Sequence, residues 1–183
     1  AALGAMLLGV IVNGLFVATY LFPAIVLAIP LFVLFTRMGL RGSLVGLALV
    51  YIAQTVPVAI YMLRNYFDTI PVSIEESAMM DGLGTMGTLR RITLPLALPS
   101  IMATGLFVFM IAWNEFLFAL LFLVDRRESW TVSLGLAQLS GSIEVPTTVL
   151  MAGSVVITLP VIVLFFATER LLSGGLTAGA EKG

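Results

Sequence analysis

"SIEESAMMDGLGTMGTLRRITLPLALP", residues 73–99, interrupts a chain that is otherwise strongly apolar. It carries three acids, two arginines, three glycines and two prolines, with long apolar runs on either side. Pro71 lies just upstream of Ser73, and Glu76 follows three residues after it. Ser-x-x-Glu is a capping box, in which the serine side chain takes an amide of the first turn and the glutamate reaches back. Glu75 and Glu76 also suit the positive end of a helix dipole. The pattern predicts a short helix over 73–82. On its wheel Met79, Met80, Leu83 and Met86 gather on one side, and Ser77, Asp81 and Thr85 on the other. Gly82, in a φ > 0 conformation, and Gly84 end or bend it. A second turn through Leu89 and Ile92 then runs into Leu94-Pro95 and back to apolar sequence. A solvated loop with a charged face accounts for much of this. Two features point further: a methionine-rich face suits a surface that docks and slides on a partner, and the stretch is longer than a plain connection between packed helices requires.

The flanks decide the class. Of 183 residues, 60% are hydrophobic and 10% charged, and mean hydropathy is +1.14. A soluble domain is nearer half apolar and a quarter charged, and one this apolar would expose large patches and aggregate. The chain reads as an integral membrane protein. Its net charge of −1 gives no electrostatic case for nucleic acid. Cysteine and histidine are both absent, which removes disulfides, thiol nucleophiles, imidazole bases and the usual zinc ligands. No G-x-S-x-G nucleophile motif occurs. No catalytic residue and no metal site is expected.

About 20 apolar residues cross a bilayer core as a helix. Four stretches qualify: 3–36, 43–63, 100–124 and 147–168. The first is too long for one straight span and too short for two, with Pro23 and Pro30 expected to kink it. Gln54 and Pro57 sit inside the second, Pro160 inside the fourth. Gly105, Ala152, Gly153 and Ser154 are small enough for close helix packing. Loop 64–99 and the tail after Glu169 fall on one side, with Arg64, Arg90, Arg91, Arg170 and Lys182. Arg37, Arg41, Arg126 and Arg127 fall on the other. Five against four favours a cytoplasmic loop 64–99 by a single charge. No basic n-region precedes Arg37, the first charge, so no signal peptide is read. The chain starts at Ala1 without an initiator Met, and a processed or truncated N-terminus is expected. No internal repeat or soluble segment appears, so residues 1–183 are read as one transmembrane domain.

The spacing of the polar stretch is specific. Glu76-Ser77-Ala78, three residues, Gly82, nine residues, then Ile92-Thr93-Leu94-Pro95 resembles the "E-A-A, x3, G, x9, I-x-L-P" loop of binding-protein-dependent ABC importer permeases. Ser77 stands where that family usually has alanine; a small residue is kept. "PLFVLFTRMGL", "RNYFDTIPVSIEESAMMDG", "WNEFLFAL" and the closing "GLTAGAEKG" look like the carbohydrate branch, the maltose-permease type. The resemblance implies the all-α membrane fold of a type I importer, with this chain as the last four of six spans or as an unusually short member. It implies a cytoplasmic loop that docks into a cleft on an ATPase subunit through Glu76, Ser77, Ala78, Met79, Asp81, Gly82, Leu83, Ile92, Leu94 and Pro95. It implies as partners a dimer of ABC ATPase subunits, a second permease subunit and an extracytoplasmic sugar-binding protein, in the cell membrane of a bacterium or archaeon. No G-x-x-x-x-G-K-[ST] occurs here, so ATP and Mg²⁺ are expected on the partner, with no cofactor on this chain.

Within the third apolar stretch, Trp113, Asn114 and Glu115 stand out. An ionisable group at bilayer depth costs several kcal/mol unless it faces a bundle interior or a wet cavity. Either Glu115 satisfies backbone amides of a broken helix, or pairs with Asn13 or Gln54, or it lines the translocation pathway, where the resemblance puts this segment. Trp113 suits a sugar face, packing or an interface anchor. In the loop 125–146, Leu134, Leu136, Ala137 and Leu139 are expected against the bundle, leaving Gln138, Ser140, Gly141 and Ser142 for the sugar-binding protein. The function expected is a sugar importer permease working by alternating access. A permease for amino acids, phosphate or another solute, a stand-alone secondary transporter or channel, and an intramembrane enzyme are the alternatives. The last two fit less well, since Glu115 is the only candidate coupling group and no catalytic pair is visible.

Overall fold

Proline and glycine positions largely decide where the helices start and turn. The computed structural model describes residues 23–142 and 145–180, with side chains described through residue 169. In chain order the elements are α1 (Ala24–Arg37), α2 (Leu44–Phe67), α3 (Val72–Met80), α4 (Thr85–Thr88), a π turn (Leu89–Thr93), α5 (Leu94–Asn114), α6 (Leu117–Leu123), a 3-10 turn (Arg127–Ser129), α7 (Val132–Ser140) and α8 (Thr147–Ala180). The described residues contain no strand, so the architecture is all-α. Leu44–Phe67, Thr85–Asn114 and Thr147–Glu169 are long and apolar enough to cross a membrane, and α1 is a shorter apolar helix.

The expected spans differ from these helices at their ends. Residues 3–22 of the first lie outside the described residues, as does Asn13. Pro23 is the N-cap of α1 and Pro30 lies inside that helix. The expected span 100–124 is not one helix: α5 stops at Asn114 and α6 starts at Leu117. Apolarity alone cannot register that break, which is made by a carboxylate at Glu115. Helix also extends upstream of residue 100, through the π turn to Thr85, so the second half of stretch 64–99 is helical rather than loop. α8 continues past residue 168 to Ala180. No proline follows Pro160, and a glycine costs a helix only about 1 kcal/mol relative to alanine.

The chain divides into two compact units, each described separately. The first is Ala1–Val58 with Ile111–Pro160. Its core joins Ala28 of α1, Leu47 and Val50 of α2, Phe118, Ala119, Phe122 and Leu123 of α6, and Leu134 of α7. Phe122 meets Phe35 and Phe32 edge-on, with centroids 5.2 and 6.2 Å apart, the geometry favoured by the ring quadrupoles. Short α6 is thus the hub of this core, wholly apolar and buried at four positions. Arg41 lies over the Phe32 ring at 5.4 Å and pairs with Asp125, closing the rim beyond α6. At the approach of α7 to α8 a Cβ on Gly153 would fall 2.6 Å from Leu136 Cδ1, so a larger residue there displaces the end of that leucine.

The second unit is Ala59–Met110 with Val161–Gly183. It contains α3, α4 and the π turn. α3 packs on both of the others through small buried residues, Ala78, Thr88 and Thr93. The Tyr66 hydroxyl donates to the Leu96 carbonyl at 2.8 Å. Leu96 follows Pro95, whose carbonyl Pro99 deprives of its helical donor, so the tyrosine holds the helix at that point.

Candidate functional site

Two places concentrate polar groups among the apolar helices: the α3–π turn segment, and the break between α5 and α6.

α3 starts at Val72, with Pro71 as its N-cap at φ −63° and ψ 132°. The capping box is therefore not formed. Ser73 lies inside the first turn, and its carbonyl accepts from Ser77 Oγ at 2.7 Å. Glu76 makes no cap bond and is exposed. Pro71 already supplies the extended entry that a capping serine would provide, so the helix begins one residue early. Glu75 is the first-turn acid, and its Oε1 receives a long 3.4 Å bond from Thr93 Oγ1, tying α3 to the π turn.

The other end matches the sequence. Gly82 has φ +86° and follows Asp81, the C-cap. Gly82 N donates to Met79 O at 3.0 Å and Leu83 N to Ala78 O at 3.1 Å, which satisfies the last carbonyls in the usual left-handed termination. A Cβ on Gly82 would meet nothing within 4 Å, so the constraint is conformational. Met79, Met80 and Met86 are all exposed, Met80 at 88%. Glu76, Ser77, Asp81, Leu94 and Pro95 are exposed as well, and Leu83 and Ile92 are half-buried. Ala78 is the exception: it is buried beneath the turn and builds the segment rather than its outer surface. What remains outside is a short acidic and methionine-rich knob on a turn fixed by a glycine.

At the helix break, Glu115 acts on the main chain. Oε1 accepts from Phe118 N at 2.7 Å and Oε2 from Ala119 N at 3.1 Å. These are first-turn amides of α6, which have no partner inside their own helix, and a carboxylate there also suits the dipole. Tyr51 of α2 donates its hydroxyl to Oε2 at 3.0 Å; the side-chain partner is thus Tyr51 rather than Gln54. The Trp113 indole N–H donates to Ile157 O at 3.0 Å. Ile157 follows Val156, the carbonyl that Pro160 deprives of its helical donor. Ser133 Oγ donates to Trp113 O at 2.6 Å, receiving the end of α5. Trp130 Nε1 donates to Leu123 O at 3.0 Å and so receives the end of α6. Thr131 Oγ1 accepts from Leu134 N at 3.2 Å as the N-cap of α7. Each broken end is met by a side chain.

Asn114 and Phe116, on either side of Glu115, line an open cleft of about 400 Å³ with Ser133, Ser140 and Ser154. In α7, Leu134 is fully buried, Leu136 and Ala137 half-buried, and Ser140, Gly141 and Ser142 exposed. Two expectations for this helix change. Leu139 is exposed and Gln138 half-buried, because at about 100° per residue Leu139 falls well round the helix from Leu134. Sequence reading also passed over Tyr51, Trp130, Thr131 and Ser133. Thr131 before an apolar run was a legible N-cap signal; nothing local marks the other three.

Residues 5–173 match the family described as binding-protein-dependent transport system inner membrane component. The inner membrane ABC transporter permease protein YcjP of Escherichia coli is 40% identical over 172 residues, 94% of this chain and 61% of that protein. The trehalose/maltose transport system permease protein MalG of Thermococcus litoralis is 38% identical over 181 residues, 98% of this chain and 63% of that protein. The trehalose transport system permease protein SugB of Mycobacterium tuberculosis is 39% identical over 165 residues, 89% of this chain and 60% of that protein. The chain thus spans about three-fifths of the length of these relatives. Its helices, its apolar spans and its similarity over almost its whole length establish that this chain belongs to the binding-protein-dependent transport system inner membrane component family, with the membrane fold of type I importers.

Proposed function

We propose that this chain is one transmembrane permease domain of an ATP-driven ABC importer that moves a sugar or oligosaccharide into the cytoplasm by alternating access. The observation that carries this reading is the exposed knob formed by α3 and Gly82, set between helices that are long and apolar enough to cross a bilayer. Two exposed acids, Glu76 and Asp81, and three exposed methionines on a rigid turn suit docking to a basic, deformable cleft. The occupant proposed is an ATPase subunit, one of a dimer, which carries ATP and Mg²⁺. A second permease subunit and an extracytoplasmic sugar-binding protein complete the assembly; Gly141 and Ser142, exposed beyond α7, are the contacts proposed for the latter. The sugar assignment is supported by MalG and SugB, whose names carry trehalose or maltose. Coupling is a two-state element biased at both ends: nucleotide at the ATPase, solute in the membrane.

Affinity purification in mild detergent tests the assembly. The chain is expected to bring an ATPase with it, and cells lacking it are expected to lose uptake of one sugar. Recovery of the chain alone, with uptake intact in its absence, contradicts the reading.

Topology gives a separate check. The docking knob lies in the cytoplasm and α7 outside. The chain has no natural cysteine, so Ser77→Cys and Ser142→Cys each report one side. On intact cells an impermeant thiol reagent is expected to label Ser142→Cys and spare Ser77→Cys. The reverse pattern overturns the orientation.

A further inference from the structure

The cleft between the end of α5, α7 and α8 has a chemistry of its own. Its volume of about 400 Å³ lies in the range of small-molecule sites, about 300–1,000 Å³. Three serine hydroxyls line it, and each has its proton committed to a main-chain carbonyl. Ser133 Oγ donates to Trp113 O at 2.6 Å, Ser140 Oγ to Ala137 O at 2.7 Å, and Ser154 Oγ to Leu150 O at 3.0 Å. A hydroxyl has one donor and two acceptor lone pairs, so all three offer the cleft acceptors. None of the lining side chains is charged. Phe116 adds an exposed ring.

From this geometry we infer that the cleft binds a neutral polyhydroxyl solute, a sugar ring whose hydroxyls donate to Ser133, Ser140 and Ser154 while its C–H face lies on Phe116. The chemistry is selective. A phosphate or carboxylate brings net negative charge to a lining whose serines turn lone pairs toward it and which holds no cation to balance it. A free amino acid brings two charges into a lining that holds none, and unpaired charge in such a site is costly. A sugar supplies several hydroxyl donors and an apolar face at once. Glu115 contributes by holding α6, and so Phe116, in place; the cleft residues themselves meet the solute. This inference rests on the sugar-importer reading and assigns to this subunit a solute site of its own.

The test separates the two. Cells carrying the wild-type transporter are offered labelled maltose, trehalose, lactose, glucose, glutamine and phosphate. Uptake of glutamine or phosphate with none of the sugars overturns the sugar reading itself. For the best transported sugar, the complete complex bearing Leu150→Cys, on the cleft wall but outside the proposed hydrogen bonds, is purified without binding protein and treated with a thiol reagent. Excess sugar is expected to slow labelling several-fold, and glutamine to leave it unchanged. Ser142→Cys, outside the cleft, is the control, and its rate is expected not to respond. Adding Phe116→Ala is expected to abolish the protection while the complex still assembles. Sugar uptake without protection at residue 150 overturns the cleft as the site and leaves the importer reading standing. Labelling that is slow with or without sugar, and fast only once the partner permease is removed, gives the cleft to a protein contact and also overturns the inference.

Discussion

Gly82→Asp is expected to yield a permease that is made and inserted but does not retain its ATPase and does not transport. Gly82 sits at φ +86°, a region where a residue with a Cβ loses roughly 1 kcal/mol. Aspartate tolerates it better than most, and the space around a new Cβ is open, so strain alone does not unfold the turn. The larger effect is a carboxylate placed beside Asp81 on the proposed docking surface. Strain and repulsion together exceed about 1.4 kcal/mol, which is tenfold in affinity. ATPase recovery with the purified chain should fall about tenfold or more on that scale. Gly82→Asn, near in shape and without the charge, is expected to lose much less. Glu76→Ala is milder for a structural reason: Glu76 makes no cap bond, so its removal leaves α3 folded and subtracts only one surface charge from the joint. None of these positions lies in the core of α6, and membrane insertion should be unaffected. Wild-type ATPase recovery and sugar uptake in Gly82→Asp contradict the coupling role.

Glu115→Leu is expected to lower the yield of folded complex sharply. Two amides of α6 and the Tyr51 hydroxyl all donate to this carboxylate. A buried donor left without a partner costs about 1–3 kcal/mol, and here three lose theirs together. α6 carries Phe118, Ala119, Phe122 and Leu123, half of the buried cluster around it, so loss of its cap spreads to α1, α2 and α7. Glu115→Gln keeps one acceptor oxygen but turns an NH2 toward one of the donors, and is expected to fall between wild type and Glu115→Leu in yield and thermal midpoint. Tyr51→Phe removes one of the three donors and is expected to cost less than Glu115→Leu. A Glu115→Leu complex with normal yield and normal transport refutes the structural role, and a Glu115→Gln complex that folds fully but no longer transports assigns the carboxylate to the pathway.

The sequence carried the interruption and its end better than its beginning. Gly82 was legible because only glycine takes φ > 0 freely, and a glycine after an apolar-and-acid helical turn is a stop signal. The exposed methionines followed from the same wheel. The start of α3 was misread because two rules competed for Pro71 and Ser73, and proline's fixed φ set the entry before the serine cap was needed. The break inside the third expected span is hidden in sequence for a deeper reason. Leu117–Leu123 is as apolar as the helix before it, and periodicity cannot separate a continuous span from a broken one. The mark was Asn114-Glu115 itself, a polar pair within an apolar run, and its meaning depended on Tyr51, 64 residues upstream. The same holds for Ser133 and Trp130, whose partners are helix ends that exist only once the chain is folded.

The knob at α3 is proposed to meet an ATPase subunit. Met80 is its most exposed methionine, at 88%. With Met80→Cys carrying a photoactivatable benzophenone in otherwise intact membranes, irradiation is expected to give one major adduct, of this chain with an ATP-binding subunit. Its yield is expected to change when ATP is trapped in that subunit. The same label at Val132, at the start of α7, is expected to give no such adduct. Uptake-competent membranes in which Met80 crosslinks only to lipid or to the partner permease, with or without nucleotide, contradict the account.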